Sequence, residues 1–271
     1  MIRTTDKWIK LNHAEGSMQA PLIKTFSYNI HKGFNAGNRQ YVLNHMREAL
    51  HDLSPDLVFL QEVRGYLQPG YHPNWAVEPQ FAYLAEAQWP HHAYGKNAVT
   101  AAGHHGNAIL SKFPILLWEN VDISTYDLER RGLLHCVLDV PSLDHELHVI
   151  CLHLNLFQRG RLKQIEKLCD RIETVVPPNA PLIIAGDFND WQRQITSILA
   201  QRLQVQEAHQ ARHGRHARSF PSWMPVLSLD RIYFRGFRVE NSAPLTGQPW
   251  HRLSDHVPLY SELLCLPFAA S

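Results

Sequence analysis

Side chains that can bind metal or move protons stand at the ends of several apolar runs in this sequence. The runs are SYNIHKG, FLQEV, ICLHLN, IIAGDFND, LDRIYF and LSDHVPL. An apolar run that ends in a carboxylate, amide or imidazole is typical of a buried strand that presents one polar group at a sheet edge. Six such edges can build one acidic pocket, which predicts a metal-assisted hydrolase site. The residues concerned are Asn29, Glu62, His153, Asp187, Asn189, Asp230, Asp255 and His256.

The segment GDFND concentrates this chemistry. The run before Gly186 is too apolar on both faces for a surface strand, so Gly186 is expected to turn the chain where Asp187 and Asn189 emerge on one side. A buried carboxylate beside an amide can position and deprotonate a water molecule. Taken alone, the same residues also suit an Asx turn or a helix cap, and both interpretations stay open.

The other polar positions also have more than one interpretation. A carboxylate such as Glu62 at the end of a buried strand is costly unless it is paired or bound to a cation. Asp255 and His256 are adjacent, so both reach one pocket only if the backbone turns there; a turn Asp beside an exposed His is the alternative. His153 lies between Leu152 and Leu154, and by itself it suits a core histidine better than a ligand.

The intervening sequence predicts the elements that must hold these groups. Alternating and continuous apolar runs predict strands, and apolar residues at helical spacing predict helices. The mixture of crossovers and meanders predicts an α/β fold, a four-layer α/β/β/α sandwich of two mixed sheets with helices on the outer faces. The strands are expected at 22–30, 56–62, 107–111, 115–123, 132–140, 147–154, 181–186, 229–234, 237–241 and 257–264, and the helices at 39–53, 159–175 and 193–201.

The remaining segments predict loops and a leader. Residues 64–105 are rich in Pro, Gly, His and aromatic residues and are expected to form mainly a loop, with one short helical pattern around 81–87. Residues 207–225 predict a second loop, rich in Arg, His and Pro. Residues 1–20 lack periodicity and are expected to be a flexible leader before one domain, 21–271.

Composition narrows the class of protein. The chain has 271 residues, 26 Lys plus Arg against 25 Asp plus Glu, and a formal charge of +1, so a polyanionic substrate must be met by a local basic patch or by metal. The four cysteines form no CxxC or zinc spacing and are expected to be buried, reduced thiols, which suits the cytoplasm. No signal peptide or membrane span is evident, and a monomer is expected.

In order along the chain, these motifs resemble the endonuclease/exonuclease/phosphatase family of metal-dependent phosphohydrolases. The resemblance runs from about Lys24 to Leu264 and rests on SYNIHKG, QEV, GNAILSKFPI, CLHL, GDFND, LDRI and SDHVPL. It is specific for the family but not for a substrate, because similar proteins cleave abasic DNA, DNA and RNA strands, tyrosyl adducts on DNA ends, sphingomyelin and inositol phosphates.

The resemblance implies a metal centre. It makes Glu62 the principal Mg²⁺ ligand, with Asn29 and Asp255 close to the metal, directly or through water. Oxygen donors of this kind suit Mg²⁺ or Mn²⁺ and argue against zinc.

The resemblance also implies the catalytic roles. It makes Asp187 the acid/base residue that handles the attacking water or the leaving oxygen, oriented by Asn189. His256, paired with Asp230, is expected to contact the scissile phosphate, and His153 is a second phosphate contact.

The substrate is less determined. Arg161 and the loop with Arg215 and Trp223 are the preferred substrate contacts, because they combine basic and aromatic groups. The prediction is a Mg²⁺-dependent phosphodiesterase, first of all a nuclease acting on DNA or RNA. The alternatives are a phosphatase or a lipid or small-molecule phosphodiesterase of the sphingomyelinase or inositol-phosphatase kind, and then a catalytically idle binding module. A serine hydrolase and a P-loop NTPase lack their motifs here.

Overall fold

The structure is a computed structural model that describes residues 20–266 apart from 38, 69–77, 102, 127–128 and 142. The predicted leader therefore lies outside the described residues except for its last position. No helix of the described chain is long and apolar enough to cross a membrane.

Twelve strands of the described chain form two mixed sheets of six strands each. The first contains β1 (Leu22–Asn29), β2 (Leu57–Leu67), β3 (His91–Thr100), β4 (Gly103–Ser111), β11 (Phe237–Pro244) and β12 (Leu259–Cys265), in the order β11-β12-β1-β2-β4-β3. The second contains β5 (Ile115–Asp122), β6 (Gly132–Leu138), β7 (Leu147–His153), β8 (Leu182–Asp187), β9 (Gln206–Glu207) and β10 (Asp230–Arg235), in the order β5-β6-β7-β8-β10-β9. The pairs β1/β2 and β7/β8 are parallel and the others are antiparallel.

The two sheets pack face to face, and helices cover their outer faces. Ile23 and Phe59 of the first sheet share one core with Leu134 and Ile183 of the second. The helices α1 (Leu43–Leu53) and α2 (Gln80–Ala85) pack on the first sheet, and α3 (Gln158–Val175) and α4 (Ile195–Leu203) pack on the second. A short helix, α5 (Ala208–His213), lies beside β10 and β11. The predicted four-layer α/β/β/α sandwich is confirmed.

The layers explain why the central strands could be found in the sequence. Every residue of β7 and β8 is buried, because each strand contacts the other sheet on one face and helices on the other. Such strands read as continuous apolar runs. The helix α3 buries Ile165, Leu168 and Ile172 at helical spacing against them, and the chain turns after it at Pro177.

The prediction that residues 64–105 are mainly loop is wrong. The strand β2 continues to Leu67, and β3 and the first three residues of β4 lie in this range, while the short helix expected around 81–87 is present as α2. The sequence did not predict β3, because β3 is an edge strand with one partner and its sequence HHAYGKNAVT leaves many polar side chains exposed. Residues 207–225 are also not loop throughout, since the Glu207 carboxylate accepts hydrogen bonds from the backbone N–H groups of His209 and Gln210 and caps α5.

Candidate active site

The register of the sheets brings the predicted polar residues to one edge of the sandwich. In the second sheet, Asp187 lies opposite His153 of β7 and opposite Asp230 of β10. In the first sheet, Asn29 ends β1, and its Nδ2 donates to Asp187 Oδ2 across the gap between the sheets, at 3.2 Å. The same Nδ2 lies 3.4 Å from Glu62 Oε1. The two sheets therefore meet at a cluster of carboxylates, imidazoles and one amide.

The sequence predicted that Glu62 ends its strand. It lies instead at an irregularity within β2. The pairing of β2 with β4 shifts register between Leu60 and Val63, and Glu62 has a left-handed backbone with φ of 57°. This kink turns the carboxylate towards Lys32, whose Nζ lies 2.8 Å from Glu62 Oε2. Burial alone would raise the pKa of Glu62, but the charge and hydrogen bond of the Lys32 ammonium lower it below its ordinary value.

Left-handed backbone conformations are concentrated at this edge. His31, Lys32, Glu62 and Asn189 have φ of 45°, 56°, 57° and 50°. Side chains at such φ values cost free energy that the surrounding structure must offset, and such residues cluster at functional sites. Here each of these residues follows or interrupts a strand that leads to the cluster. The strained backbone is therefore found where the chain places the polar groups of the site.

Asp187 is a fully buried carboxylate of the cluster. Its Oδ1 accepts a hydrogen bond from the backbone N–H of Asn189 at 3.0 Å, and its Oδ2 lies 3.4 Å from His153 Nε2. Burial raises the pKa of Asp187 to about 6, against the lowering effect of His256. Gly186 does not turn the chain but continues β8, where a side chain would strike the carbonyl oxygen of Leu152. This close approach is what keeps β7 and β8 paired up to the site.

His256 forms a buried ion pair with Asp230. The Nδ1 of His256 lies 2.9 Å from Asp230 Oδ2, and its Nε2 lies 3.8 Å from Asp187 Oδ2. Burial by itself would lower the pKa of His256, but the carboxylates of Asp230 and Asp187 outweigh it and raise the pKa to about 10. His153 differs, because burial and the charge of Arg131 hold its pKa well below the usual value. The site thus combines one imidazolium with one neutral imidazole.

Asp255 and His256 reach the same cluster because the chain bends there, before β12 begins at Leu259. The bend is held by Ser254, whose Oγ donates to the backbone oxygen of Asn29 at 2.7 Å. Asp255 Oδ1 then lies 3.6 Å from His31 Nδ1. The alternative of a turn Asp beside an exposed His does not describe this segment, since His256 is buried.

The residues at this edge fit a hard divalent cation. The carboxylate of Glu62 already holds the ammonium group of Lys32 at 2.8 Å, and the oxygens of Asp255 and Asn29 are the donors that Mg²⁺ prefers. Asn29 presents Nδ2 to Glu62, so it becomes a ligand through Oδ1 only after rotation of its amide.

Asp187, Asp230 and His256 form a second group, with possible ligand atoms within 4.8 Å of one another. The His256 ring between the two carboxylates makes that group better suited to an ion pair than to metal.

Three basic residues enter the site without having been assigned a role from sequence. Lys32 lies within the motif SYNIHKG, three residues after Asn29, and that spacing was the available signal. His105 of β4 is close enough to Glu62 and Lys32 for both to affect its pKa, which burial lowers to about 4. Arg131 donates to Glu129 at 2.8 Å, and its buried Nε has no partner among the described residues.

The three predicted substrate contacts lie in different surroundings. Arg161 is buried, and its guanidinium donates to the backbone oxygen of Leu156 and lies 4.4 Å from the ring of Trp191. Arg215 is exposed beside α5. Trp223 is 69% exposed at the tip of a loop that contacts the catalytic bend, where Ser222 N donates to the Asp255 carbonyl at 2.8 Å. Of these three, the Trp223 loop borders the site most directly.

Comparison with known proteins finds a family that covers most of the chain. Residues 26–256 match the family model described as Endonuclease/Exonuclease/phosphatase family. The protein YbhP of Escherichia coli (strain K12) is 40% identical over 242 residues, which cover 89% of this chain and 95% of that protein.

Solved structures show the same fold at low identity. D. rerio TDP2 in complex with a single-strand DNA product superposes with a TM-score of 0.66 at 19% identity, covering 89% of this chain and 98% of that one. The Bacteroides thetaiotaomicron mannosyl-6-phosphatase Bt3783 superposes with a TM-score of 0.67 at 17% identity, covering 89% and 99%.

Proposed function

The chain belongs to the endonuclease/exonuclease/phosphatase family of phosphoester hydrolases, and we propose that it is a divalent-cation-dependent phosphodiesterase. The observation that carries this proposal is the meeting of Glu62, Asp187 and the Asp230–His256 pair at one edge of the sandwich. Glu62 there pairs with the Lys32 ammonium, burial raises the pKa of Asp187 to about 6, and the His256 imidazole is cationic. These groups suit three different tasks that phosphodiester hydrolysis requires.

In this proposal, Glu62 holds the cation with Asn29 and Asp255 close by. A bound Mg²⁺ or Mn²⁺ would offset the negative charge of the phosphate and polarise its oxygens. The orientation of Glu62 comes from the kink in β2, and that of Asp255 from the Ser254 hydrogen bond to the backbone of Asn29.

Asp187 is the group that moves the proton. Its pKa of about 6 places it near neutrality, where a carboxylate can accept a proton from water and return it to a leaving oxygen. The backbone N–H of Asn189 holds one of its oxygens, and Asn29 holds the other. The side chain of Asn189 donates to the backbone oxygen of Leu154 at 2.9 Å, so Asn189 orients Asp187 mainly through its own backbone.

His256 and His153 bind the phosphate in this proposal. The imidazolium of His256 offers positive charge and an N–H donor at Nε2, while Asp230 holds its Nδ1. The neutral ring of His153, 3.4 Å from Asp187, offers a hydrogen bond without a charge. Asp230 keeps His256 cationic, because the pair is buried and a neutral imidazole would leave the carboxylate uncompensated.

The substrate remains to be assigned between two candidates. A nucleic acid is the first, favoured by the family resemblance; a structural neighbour, TDP2, is described with a single-strand DNA product. A lipid phosphodiester is the second candidate, and the exposed aliphatic side chains beside the site favour it. The cytoplasmic location, the monomeric state, the extent of the catalytic domain and the roles of the site residues stay predictions.

One panel of assays tests both the reaction class and the substrate. The full chain is incubated with and without Mg²⁺ or Mn²⁺ on single- and double-stranded DNA, abasic DNA, RNA, a phospholipid and an inositol phosphate. We expect cation-dependent cleavage of at least one phosphodiester. Cation-independent turnover, or turnover of phosphomonoesters alone, would contradict the proposal.

Lys32→Met should increase the affinity for Mg²⁺. The Lys32 ammonium, 2.8 Å from Glu62 Oε2, competes for the carboxylate that we propose as the principal ligand. The two side chains are partly exposed, and such pairs are worth about 0.2–1 kcal/mol, so the gain should be at most about fivefold. Calorimetric titration of Mg²⁺ without substrate measures it.

Lys112→Met is the matched control for this change. Lys112 pairs with Asp56 at 3.2 Å with similar exposure, but on the opposite end of β2. This variant should bind Mg²⁺ like the unmodified chain. Weaker binding by Lys32→Met would show that Lys32 supports the cation site rather than competing for it.

A further inference from the structure

Large apolar side chains are exposed along one side of the catalytic edge. Seven of the fifteen exposed large apolar side chains of the described chain lie on three segments, 154–157, 188–193 and 219–228. Phe157 is 70% exposed and Trp223 is 69% exposed. An exposed cluster of this kind marks an interaction surface in soluble proteins. The members of this apolar rim are Leu156, Phe157, Trp191, Trp223, Met224, Val226 and Leu227.

The three segments leave the second sheet side by side. The first follows β7, the second follows β8 and the third precedes β10, and these strands are neighbours in the order β7-β8-β10. The segments also contact each other, since Asn189 Nδ2 donates to the Leu154 oxygen and Phe188 N donates to the Leu229 oxygen, both at 2.9 Å. The apolar rim is therefore one surface that borders the catalytic cluster.

The chain that flanks the rim is basic although the whole chain is nearly neutral. Residues 154–165, 188–194 and 208–229 contain seven Arg or Lys and a single acidic residue, Asp190, while the whole chain has a formal charge of +1. Asp190 is buried, with its carboxylate accepting from the backbone N–H groups of Gln194 and Ile195. The exposed basic residues are Arg159, Lys163, Arg193, Arg212, Arg215 and Arg218.

The side chains of the rim fit a lipid interface better than a nucleic acid. Bases stack on flat faces, whereas Leu156, Met224, Val226 and Leu227 have none. One face of Trp191 is occupied by the guanidinium of Arg161 at 4.4 Å. Aliphatic and Trp side chains surrounded by Arg and Lys are the composition that inserts into the headgroup region of anionic bilayers.

We propose that the apolar rim and its basic border dock this protein on an anionic phospholipid bilayer. The tip that carries Trp223 and Met224 enters the headgroup region, and Arg215 and Arg218 contact lipid phosphates. Ser222 N and Ser219 O hydrogen-bond to the backbone of Asp255 and Val257, so docking brings the catalytic edge to the lipid surface. The docking is inferred from the apolar rim and its basic border alone. Its consequence, a lipid phosphodiester as substrate, rests on the proposed phosphodiesterase function.

Cosedimentation of the full chain with vesicles tests the docking without turnover. The protein is incubated with a metal chelator and vesicles of phosphatidylcholine, with or without phosphatidylglycerol. We expect binding to the anionic vesicles that weakens as salt increases. Trp223→Ser combined with Met224→Ser should reduce partitioning by about tenfold or more, because the lost apolar burial is large. Arg215→Glu combined with Arg218→Glu should reduce it by a similar factor on anionic vesicles only.

Matched controls use exposed residues of the same types away from the rim. Leu117→Ser combined with Trp118→Ser, on the edge strand β5, removes equally exposed apolar side chains, and Arg39→Glu reverses one exposed charge. These variants should bind vesicles like the unmodified chain. Circular dichroism checks that every variant is folded.

Three results would overturn the docking proposal. They are no binding to anionic vesicles, equal loss in the β5 control, and unchanged vesicle binding by the Trp223/Met224 variant. If that variant instead loses affinity for a fluorescent single-stranded oligonucleotide while vesicle binding persists, the rim is a nucleic-acid platform. Vesicle binding by a chain that hydrolyses no phosphodiester would contradict the proposed function and leave the docking intact.

Discussion

Asp187→Asn is expected to lower turnover by ~10²–10⁴-fold, the range that one proton-transferring group contributes. The amide retains an oxygen for the backbone N–H of Asn189, so the side chain should keep its place. It removes a buried negative charge that lies near Asp230, and the fold should survive. Steady-state kinetics on a phosphodiester that the panel identifies measures the loss of turnover.

Calorimetry on the same variant separates proton transfer from metal binding. Because Asp187 is not among the proposed ligands, Mg²⁺ affinity should be nearly unchanged. Loss of Mg²⁺ binding would instead assign Asp187 to a metal site with Asp230 and His256, whose ligand atoms are close enough for one. Full turnover by Asp187→Asn would place the acid/base role on another residue.

Asp190→Asn is the control for this change. It is the same substitution three residues away, on a buried carboxylate that accepts backbone N–H groups at the start of α4. Because one of its two acceptor oxygens becomes an amide group, it should cost about 0.5–1.5 kcal/mol of stability, as the loss of one hydrogen bond does, and leave turnover unchanged.

Glu62→Gln is expected to abolish both cation binding and activity while the fold survives. The substitution keeps the size of the side chain but removes the charge that we propose anchors the metal. The affinity for Mg²⁺ should fall by more than the ~10–100-fold that loss of a group outside the ligand shell costs. Calorimetric titration of Mg²⁺, followed by kinetics over a range of Mg²⁺ concentrations, measures the two effects.

A second carboxylate provides the control. Glu119 of β5 is paired with Arg171 of α3, away from the catalytic cluster. Glu119→Gln also removes a charge from an ion pair, and it should change neither Mg²⁺ binding nor turnover. Unchanged Mg²⁺ binding by Glu62→Gln would refute the assignment of Glu62 as the principal ligand.

The sequence alone determined the central strands, the layers and the residue types of the site. The strands β7 and β8 are buried on both faces, so their sequences are continuously apolar. The polar residues at their ends made His153 and Asp187 candidates, and the resemblance to the family gave them their roles. The order of the motifs was sufficient to recognise the family.

Where burial is one-sided or the pairing is long-range, the sequence was insufficient. The edge strand β3 has one partner and exposed polar side chains, so its pattern resembles a loop. The kink at Glu62 depends on a register shift against β4, more than forty positions further along the chain, and the site of Lys32 depends on that kink.

Only the tertiary structure decided which groups interact. It placed Asp230 opposite Asp187, paired His256 with Asp230, buried Arg161 on backbone oxygens and left the Trp223 loop exposed beside the site. Apolar periodicity is a local property of the chain, whereas these distances depend on which strands become neighbours and in which register. The sequence therefore determined the residue types available for chemistry, and the packing of two sheets determined the environment of each one.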